Sequence, residues 1–430
     1  MNSPTESLTT LSSALREGDL SLTKLLGDLE DRFQRREGEV RAFVPEPARF
    51  DRLRQDAARL TARFAEGSRP ALFGVPVGFK DIIHLDGFAT RGGSRLPPEE
   101  LQGEEGPLAG ALREAGCLVL GKTESTEFAY FAPGPTRNPL RLDHTPGGSS
   151  SGSAAAVAAG LSPLTLGTQT IGSISRPASY CGVVGYKPSY DRTSREGVIP
   201  LAPSLDHVGF FTSDVAGAKL VARLTCADWA DRPGLGRPIL GVPVGPYLER
   251  ASSRARGEFE TRCKKLRAAG YAVREIPAFS DIDAIETRHH LLVAREAAAV
   301  HTKWYAAHAD LYHPKTRELI QEGQATSNDA ALRAVNGRVR LRHELVALMD
   351  AEGIDLWLSP GAPDGAPQGL ESTGDPVMNL PWTHCGFPTV TLPGIRTEAV
   401  MPIGLQVSAR WFEDESLLHW AEEIEQVILA

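Results

Sequence analysis

Two short stretches rich in glycine and hydroxyl side chains are the part of this sequence best suited to chemistry. The first is 147–154, GGSSSGSA, and the second is 167–177, GTQTIGSISRP. Ser149 and Ser173 lie 24 residues apart in these stretches, and Lys80 precedes both. One Gly/Ser cluster alone is typical of a turn. Two clusters around a small-residue helix and strand, with a lysine at the end of a buried strand, indicate a site, because hydroxyls and amines serve nucleophilic and acid–base catalysis.

Two familiar motifs occur without the surroundings that their chemistry needs. Residues 116–123, GCLVLGKT, match the phosphate-loop pattern GxxxxGK[ST]. The four inner residues form an apolar strand, whereas this loop must curl its backbone amides around phosphates. Residues 148–152, GSSSG, match the GxSxG nucleophile elbow, but the preceding residues 141–146 are polar and form no buried strand. We therefore reject nucleotide binding and an α/β-hydrolase elbow.

No metal or organic cofactor is expected. The adjacent pair His289–His290 has no HExxH pattern and no nearby cluster of histidines, cysteines and carboxylates, so surface or packing histidines are expected. The chain has five scattered cysteines without a CxxC pattern, which disfavours a disulfide framework and a structural zinc site. They are Cys117, Cys181, Cys226, Cys263 and Cys385.

The elements that must position these residues alternate between helices and strands. Leucines at helical spacing predict two or three amphipathic helices over 5–65. Strands are predicted at 75–79, 117–120, 355–360 and 389–392, and helices at 107–116, 154–159 and 412–428. A long charged helical stretch near 283–350 has no obvious chemistry. This alternation indicates an α/β sheet in one continuous domain.

Composition and charge restrict the function further. The 430 residues are 41% hydrophobic and 23% charged, which is typical of a globular protein with a sizeable core. The 46 basic and 54 acidic residues give a net charge of −8 without a dense basic block, so nucleic acid and anionic membranes are not expected partners. The N-terminus lacks the pattern of a secretory signal, and no apolar tract reaches the ~20 residues of a membrane span. A cytoplasmic location is expected.

Further short segments extend the pattern over nearly the whole chain. They are 74–81 (GVPVGFKD), 121–129 (GKTESTEFA), Asn138–Pro139, 181–188 (CGVVGYKP), 204–206 (SLD), Asn379, 386–388 (GFP) and 402–406 (PIGLQ). Together with the Gly/Ser stretches, they resemble the amidase signature family, serine hydrolases that cleave amides with a Ser–cis-Ser–Lys triad. The resemblance implies a single-domain α/β/α sandwich with a mixed central sheet.

The resemblance also implies a role for each matching residue. Ser173 would be the acyl-forming nucleophile, Ser149 the serine beside a cis peptide bond, and Lys80 the base. A serine hydroxyl is a poor nucleophile until a base takes its proton, and a lysine can do so only if burial lowers its pKa from about 10.4. Ser149 would relay the proton between Ser173 and Lys80.

The same resemblance implies the residues around the triad. Ser150 and Thr168 would support the catalytic groups, and Gly148 would contact the substrate. The backbone amides that would form the oxyanion hole are those of Thr170, Ile171, Gly172 and Ser173. Ile171 stands where the family usually has glycine, and a β-branched residue would be strained there if the position required a positive φ.

Arg176 stands three residues after Ser173, as in malonamidase-like and carboxybiuret-hydrolase-like members. In those members this arginine binds a substrate carboxylate, for which a guanidinium is a suitable donor fork. The alternative is a structural role in which Arg176 holds a carboxylate of the protein, such as one in the 204–206 loop. Both interpretations remain open at the level of sequence.

We therefore expect a hydrolase that acts on the carbon–nitrogen bond of a small linear amide, including a carboxylate-bearing amide. The expected organisation is one domain, 1–430, with N-terminal helices (1–65), a catalytic core (66–220) and a variable helical region that completes the sheet (221–430). A homodimer is one expectation, since related enzymes are often dimers.

Three alternatives remain. One is the glutaminase subunit of a tRNA amidotransferase, against which the position of Arg176 and the lack of a basic face argue. Another is a carbamate hydrolase, because carbamates share the carbonyl geometry. The third is an inactive binding homologue, which only Ile171 favours. Phe128, Tyr130, Trp382 and His384 are candidates for lining the pocket, with core packing as the alternative.

Overall fold

The computed structural model describes residues 7–65, 67–231, 236–394 and 400–430. At its centre is one sheet of ten strands. The strands are β1 (Pro76–Lys80), β2 (Leu118–Thr123), β3 (Leu164–Gln169), β4 (Val184–Lys187), β5 (His207–Thr212), β6 (Leu240–Val244), β7 (Val273–Pro277), β8 (Leu356–Pro360), β9 (Thr389–Leu392) and β10 (Leu405–Ser408).

The sheet is mixed, in the order β2-β1-β3-β5-β4-β9-β10-β8-β6-β7. Strand β1 pairs in parallel with β2 and β3, and β6 pairs in parallel with β7 and β8. The remaining pairs are antiparallel. In register, Val77 lies opposite both Val119 and Leu164, and Gln169 lies opposite His207. The C-terminal strand β9 lies between β4 and β10, so both halves of the chain build one sheet.

Helices connect and cover these strands in the described ranges. They are α1 (Leu8–Glu17), α2 (Leu22–Val40), α3 (Arg49–Arg63), α4 (Pro107–Glu114), α5 (Ser151–Ala158), α6 (Ser175–Cys181), α7 (Val215–Thr225), α8 (Pro246–Glu249), α9 (Ser253–Ala268), α10 (Ile282–Val300), α11 (Thr302–His308), α12 (Pro314–Ala325), α13 (Asn328–Glu352), α14 (Leu380–Cys385) and α15 (Asp414–Leu429). Short 3₁₀ turns lie at 98–101, 127–129 and 309–311.

Alternate residues of β2 show that helices cover both faces of the sheet. Leu118 and Leu120 join an apolar cluster with residues of α2, α3 and α5. Val119, which points to the opposite face, joins the main core with residues of α4, α7 and α15. The predicted α/β/α sandwich with a mixed sheet is therefore confirmed.

The predicted elements are present, with shifted ends. Strand β9 has the predicted bounds, whereas β1 begins and ends one residue later than predicted and so contains Lys80. Helix α5 begins at Ser151, inside the Gly/Ser stretch. The charged stretch near 283–350 is divided among α10, α11, α12 and α13, because turns at 301 and 309–313 and the loop at 326–327 interrupt it.

The phosphate-loop pattern lies in the sheet, since its last residues form β2. The side chain of Lys122 is buried and forms an ion pair with Asp81, with Nζ and Oδ1 3.5 Å apart. It also donates hydrogen bonds to Thr90 and the Ile83 carbonyl. The Lys122 ammonium therefore has protein partners in the position where a phosphate-loop lysine would contact a phosphate, which agrees with the rejection of that motif.

All five cysteines are buried, and none of them forms a disulfide. Among the described residues, no group of three or more histidine, cysteine or carboxylate side chains is arranged to hold a metal ion. Within the same ranges, every helix is too short or too polar to cross a membrane.

Candidate active site

Lys80 is the last residue of β1 and is completely buried. Its Nζ lies 2.6 Å from the Ser149 hydroxyl and 2.8 Å from the hydroxyl of Thr168. Thr168 comes from β3, which pairs directly with β1, so the sheet itself holds the amine and this hydroxyl together. The end of β1 thus places the Lys80 amine next to the Gly/Ser loop that contains Ser149.

The surroundings of Lys80 favour its neutral form. Burial holds the pKa of its amine well below the usual range, and the carboxylate of Asp206 raises that pKa to a smaller extent. Both hydrogen-bond partners are hydroxyls, which can donate to an amine as well as accept from an ammonium. A neutral amine in this position can accept a proton.

Ser149 lies in a tight loop directly before α5. The peptide bond between Gly148 and Ser149 is cis, and Gly147 has a φ of +83°. A Cβ at Gly147 would lie 2.9 Å from the backbone of Pro177, so glycine allows the two Gly/Ser stretches to meet. The neighbouring Ser150 hydroxyl donates to the Thr168 carbonyl at 3.1 Å and ties this loop to β3.

Ser173 lies in the turn between β3 and α6. Gln169, at the end of β3, accepts hydrogen bonds from the amides of Ile174 and Ser175 at 2.7 and 2.9 Å. These bonds cap the start of α6 and fix the turn that carries Ser173. A small cavity of ≈ 10 Å³, about the space that one water molecule needs, borders both Ser149 and Ser173.

The turn leaves backbone donors available beside Ser173. The amides of Ile171, Gly172 and Ser173 donate to no acceptor within the described parts of the chain. Such free, fixed N–H groups are what an oxyanion hole requires. Ile171 does not have a positive φ, so the strain that the sequence suggested at this position is absent. Its half-buried side chain packs against two apolar clusters.

Arg176 is buried in α6 and borders the same cavity. Its guanidinium donates to the carbonyls of Gly374 and Gly148, each at 2.7 Å, and to the Thr373 hydroxyl at 3.2 Å. Burial lowers its pKa to about 10, against smaller raising effects of Tyr180 and Asp375.

No carboxylate of the 204–206 loop contacts Arg176, so that example of a structural partner is wrong, and Arg176 instead holds two protein carbonyls and a hydroxyl. Asp206 instead accepts from the Thr170 hydroxyl at 2.6 Å and from the amides of Leu201 and Ala202. These three hydrogen bonds hold the Asp206 carboxylate beside the start of the Ser173 turn. Burial nevertheless raises the pKa of Asp206 to about 6.

Of the residues expected to line the pocket, only Tyr130 borders the cavity. Phe128 packs between His301, Trp304 and Tyr312 in the core. Trp382 and His384 are also buried in α14, outside the lining. Since an aromatic residue serves a core and a pocket equally well, its type alone does not distinguish these positions.

Three groups around the site were not found from the sequence. Gln169 holds the turn, Asp206 fixes Thr170, and His289 contacts the Thr170 carbonyl from α10. His289 lies 119 residues from Thr170 in the chain. Its partner in the pair, His290, is exposed and faces Glu322. Nothing in the local pattern distinguishes the two histidines.

A larger cavity of ≈ 780 Å³ borders Thr168, Thr170 and Asp206. Its lining also includes apolar side chains between 198 and 208. Lys80, Ser149 and Ser173 are not part of this lining. Ser149 and Ser173 therefore meet at the small cavity, and Lys80 is connected to it through its hydrogen bond to Ser149.

Comparison with known proteins agrees with this architecture. The sequence model of the Amidase family matches residues 31–418. A glutamyl-tRNA(Gln) amidotransferase subunit from Geobacter sp. (strain M21) is 31% identical over 474 aligned residues, which cover 97% of this chain and 96% of that protein. The solved crystal structure of an amidase is 33% identical, with a TM-score of 0.89, and the match covers 98% of this chain and 99% of the other.

A second solved structure comes from a vestigial protein complex that bears on the evolutionary origins of an s-triazine catabolic enzyme. It is 26% identical, with a TM-score of 0.85 and 98% coverage of both chains. The first relatives from the sequence comparison are amidotransferase subunits, so they do not support the narrower malonamidase-like grouping. At the level that the comparisons establish, the chain belongs to the Amidase family and is a hydrolase of amide carbon–nitrogen bonds.

Proposed function

We propose that the protein hydrolyses a small, carboxylate-bearing linear amide through an acyl-enzyme on Ser173. The observation that carries this proposal is a small cavity lined by two serines and a buried arginine, with a buried lysine hydrogen-bonded to one of those serines. Lys80 contacts the Ser149 hydroxyl at 2.6 Å, and Arg176 borders the cavity that contains Ser149 and Ser173. The neutral Lys80 amine supplies a base, and the Arg176 guanidinium supplies recognition of an anion.

In the proposed mechanism, neutral Lys80 takes the proton of Ser149 while Ser149 takes that of Ser173. The Ser173 oxygen attacks the amide carbon, and the turn amides from Thr170 to Ser173 stabilise the developing oxyanion. The proton then returns through Ser149 to the leaving nitrogen as the C–N bond breaks. Water, deprotonated by the same relay, attacks the acyl-enzyme and releases the acid, which restores Ser173.

Arg176 supports the choice of a charged substrate. Its three protein partners are two carbonyls and one hydroxyl, all neutral acceptors. Its Nε is buried and has no hydrogen-bond partner among the residues that the structure describes. A buried guanidinium that lacks a carboxylate in direct contact is costly, and a substrate carboxylate would compensate its charge. This argument favours the malonamidase-like and carboxybiuret-hydrolase-like grouping within the family.

The decisive experiment compares wild type, Ser173→Ala and Arg176→Met on pairs of amides that differ only in one carboxylate. We expect release of ammonia or amine from wild type and none from Ser173→Ala. Arg176→Met should lower the acidic-to-neutral ratio of kcat/KM about tenfold or more, the range of a hydrogen bond to a charged group. An unchanged ratio would refute carboxylate recognition, even if both rates fall because the Gly148 carbonyl has lost its donor.

A second candidate function is the glutaminase subunit of an amidotransferase. The names of relatives that match 97% of this chain favour it. Glutamine hydrolysis by the isolated chain that increases on addition of a co-purified second subunit would support this candidate over the first. Including a carbamate in the amide panel tests the urethane-cleaving alternative in the same assay.

We also propose a cytoplasmic location and a homodimer. Five buried cysteines without a disulfide fit a reducing compartment. Light scattering of the purified chain distinguishes a homodimer from a monomer, and co-purification identifies a second kind of subunit.

A further inference from the structure

Two carbonyls of the turn before Ser173 are held by side chains from distant parts of the chain. The carbonyl of Thr170 accepts a hydrogen bond from Nε2 of His289 at 3.0 Å. The carbonyl of Ile171 accepts a hydrogen bond from the Thr383 hydroxyl at 2.6 Å. His289 comes from α10 and Thr383 from α14, and both side chains are buried.

A held carbonyl fixes the amide that follows it. The peptide unit is planar, so the C=O of one residue and the N–H of the next point in opposite directions within one plane. The His289 bond therefore sets the direction of the Ile171 N–H, and the Thr383 bond sets that of the Gly172 N–H. These are two of the amides that have no acceptor in the described structure.

We propose that His289 and Thr383 are positioning residues that aim the Ile171 and Gly172 amides at the developing oxyanion. The proposal rests on the function proposed above and adds two side chains to its machinery. Neither side chain borders the cavity next to Ser173, so each acts through the backbone. Because both carbonyls are held from behind, the amides are oriented before substrate arrives.

The protonation of His289 is determined by its neighbours. Nε2 must carry a proton, because its partner is a carbonyl. Burial lowers the pKa of His289 to about 3, so the ring is neutral and Nδ1 is an acceptor. Nδ1 of His384 lies 3.2 Å away and donates to it. This leaves His384 Nε2 as a buried acceptor without a partner, which agrees with a neutral ring.

Thr383 is fixed in a similar way. Its hydroxyl donates to Ile171 and accepts from Nε2 of Gln169 at 2.9 Å. Gln169 also accepts from the Ile174 and Ser175 amides, as described above. The same turn is thus held on its carbonyl side by Thr383 and on its helix side by Gln169, which leaves the amides between them free.

The test separates positioning from simple support of the fold. His289→Leu and Thr383→Val remove the donors, whereas His289→Gln and Thr383→Ser keep one. Each variant is assayed on the best amide of the panel and against an alkylboronic acid with the same acyl chain, which forms a tetrahedral adduct with a serine. Active sites are counted by burst titration.

We expect His289→Leu and Thr383→Val to lower kcat per active site at least about tenfold, less than the 10²–10³-fold loss on removing an oxyanion donor outright. KM should change less than about twofold, and the boronate should bind more weakly by the same factor as kcat falls, since both depend on the tetrahedral state. The donor-retaining variants should recover most of the loss.

His301→Leu is the matched control. His301 is likewise buried and neutral, with its pKa lowered to about 4, and it contacts Tyr312 rather than the turn. The His301→Leu variant should have the same kcat per active site and the same boronate affinity as wild type. If His289→Leu only reduces the number of active sites, as a misfolded fraction would, the positioning role is refuted. Wild type that neither hydrolyses the panel nor binds the boronate instead overturns the proposed function, and this proposal with it.

Discussion

At the scale of single residues, the site is organised around a lysine and an arginine that the fold has removed from water. Lys80 contacts only hydroxyls, and Arg176 contacts carbonyls and a hydroxyl. Burying charged groups without direct counter-charges costs stability. Burial also gives each side chain a functional property. It lowers the pKa of the lysine, which can then act as a base, and it leaves the guanidinium able to attract an anion.

The buried Lys80 predicts a specific pH dependence of kcat/KM. The active form is the neutral amine, and burial lowers the pKa, so activity should rise with pH through a value well below the ordinary lysine pKa of about 10.4 and then level off. A pH–rate profile from pH 5 to 10 measures this. A profile that still rises like an ordinary lysine above pH 10 would contradict the assignment.

Lys80→Arg provides the matched control for that profile. An arginine keeps the positive charge but does not lose its proton in a protein. We expect kcat/KM to fall at least about 100-fold, the lower range for loss of a general base. Circular dichroism should show a folded variant. Near-normal activity with arginine would exclude Lys80 as the base.

Ile171 is tolerated in the turn before Ser173. The family usually has glycine at this position, so Ile171→Gly tests whether the isoleucine side chain impairs the oxyanion hole. Because Ile171 is free of positive-φ strain and packs against two apolar clusters, Ile171→Gly should lower stability by about 2 kcal/mol without raising kcat. Chemical denaturation and steady-state kinetics measure both effects. A clear rise in kcat would show that the side chain obstructs the site.

At the scale of elements, α5 has small residues because its start lies against other backbone. A Cβ at Gly152 would collide with the carbonyl of Ala42 and the backbone of Glu124. We expect Gly152→Ala to cost about 3 kcal/mol or more and to displace Ser149, with loss of activity. Thermal unfolding and kinetics measure the two effects.

The control for this variant is Gly110→Ala in α4. Its Cβ would have no neighbour within 4 Å, and Gly110 has no positive φ. An alanine there should stabilise the protein by about 0.5–1 kcal/mol and leave activity unchanged. Equal effects of the two substitutions would contradict the close-approach argument.

Local patterns predicted several elements but not their distant contacts. The β-branched run TVTL predicts β9 with correct bounds, because Pro388 and Pro393 limit the strand at both ends. Helix α5 was placed three residues late, since tertiary packing stabilises a serine–glycine start that has weak helix propensity. The contact of His289 with Thr170 depends on how α10 packs, and a single sequence contains no local signal for it.

At the scale of the whole molecule, the two halves of the chain meet at one junction in the sheet. Strands β1–β5 form one end of the sheet and β6–β10 the other, and β4 pairs with β9 between them, so a cut after Cys226 would expose the edge of β4 on one fragment and the edge of β9 on the other. We expect fragments 1–226 and 227–430 to be unfolded or insoluble when expressed separately. Co-expression should restore a folded complex. A cooperatively folded fragment 1–226 by itself would contradict the single-domain prediction.

The buried cysteines can report which segments of the protein unfold locally, because a thiol is alkylated only after its segment opens. Burial raises the pKa of Cys117 and Cys263 to about 12 and that of Cys385 to about 11, and only a thiolate reacts readily with alkylating reagents. The native protein should therefore resist iodoacetamide until a segment opens. The five thiols lie near β2, α6, α7, α9 and α14. The order in which mass spectrometry finds them alkylated would show which part of the sandwich separates first.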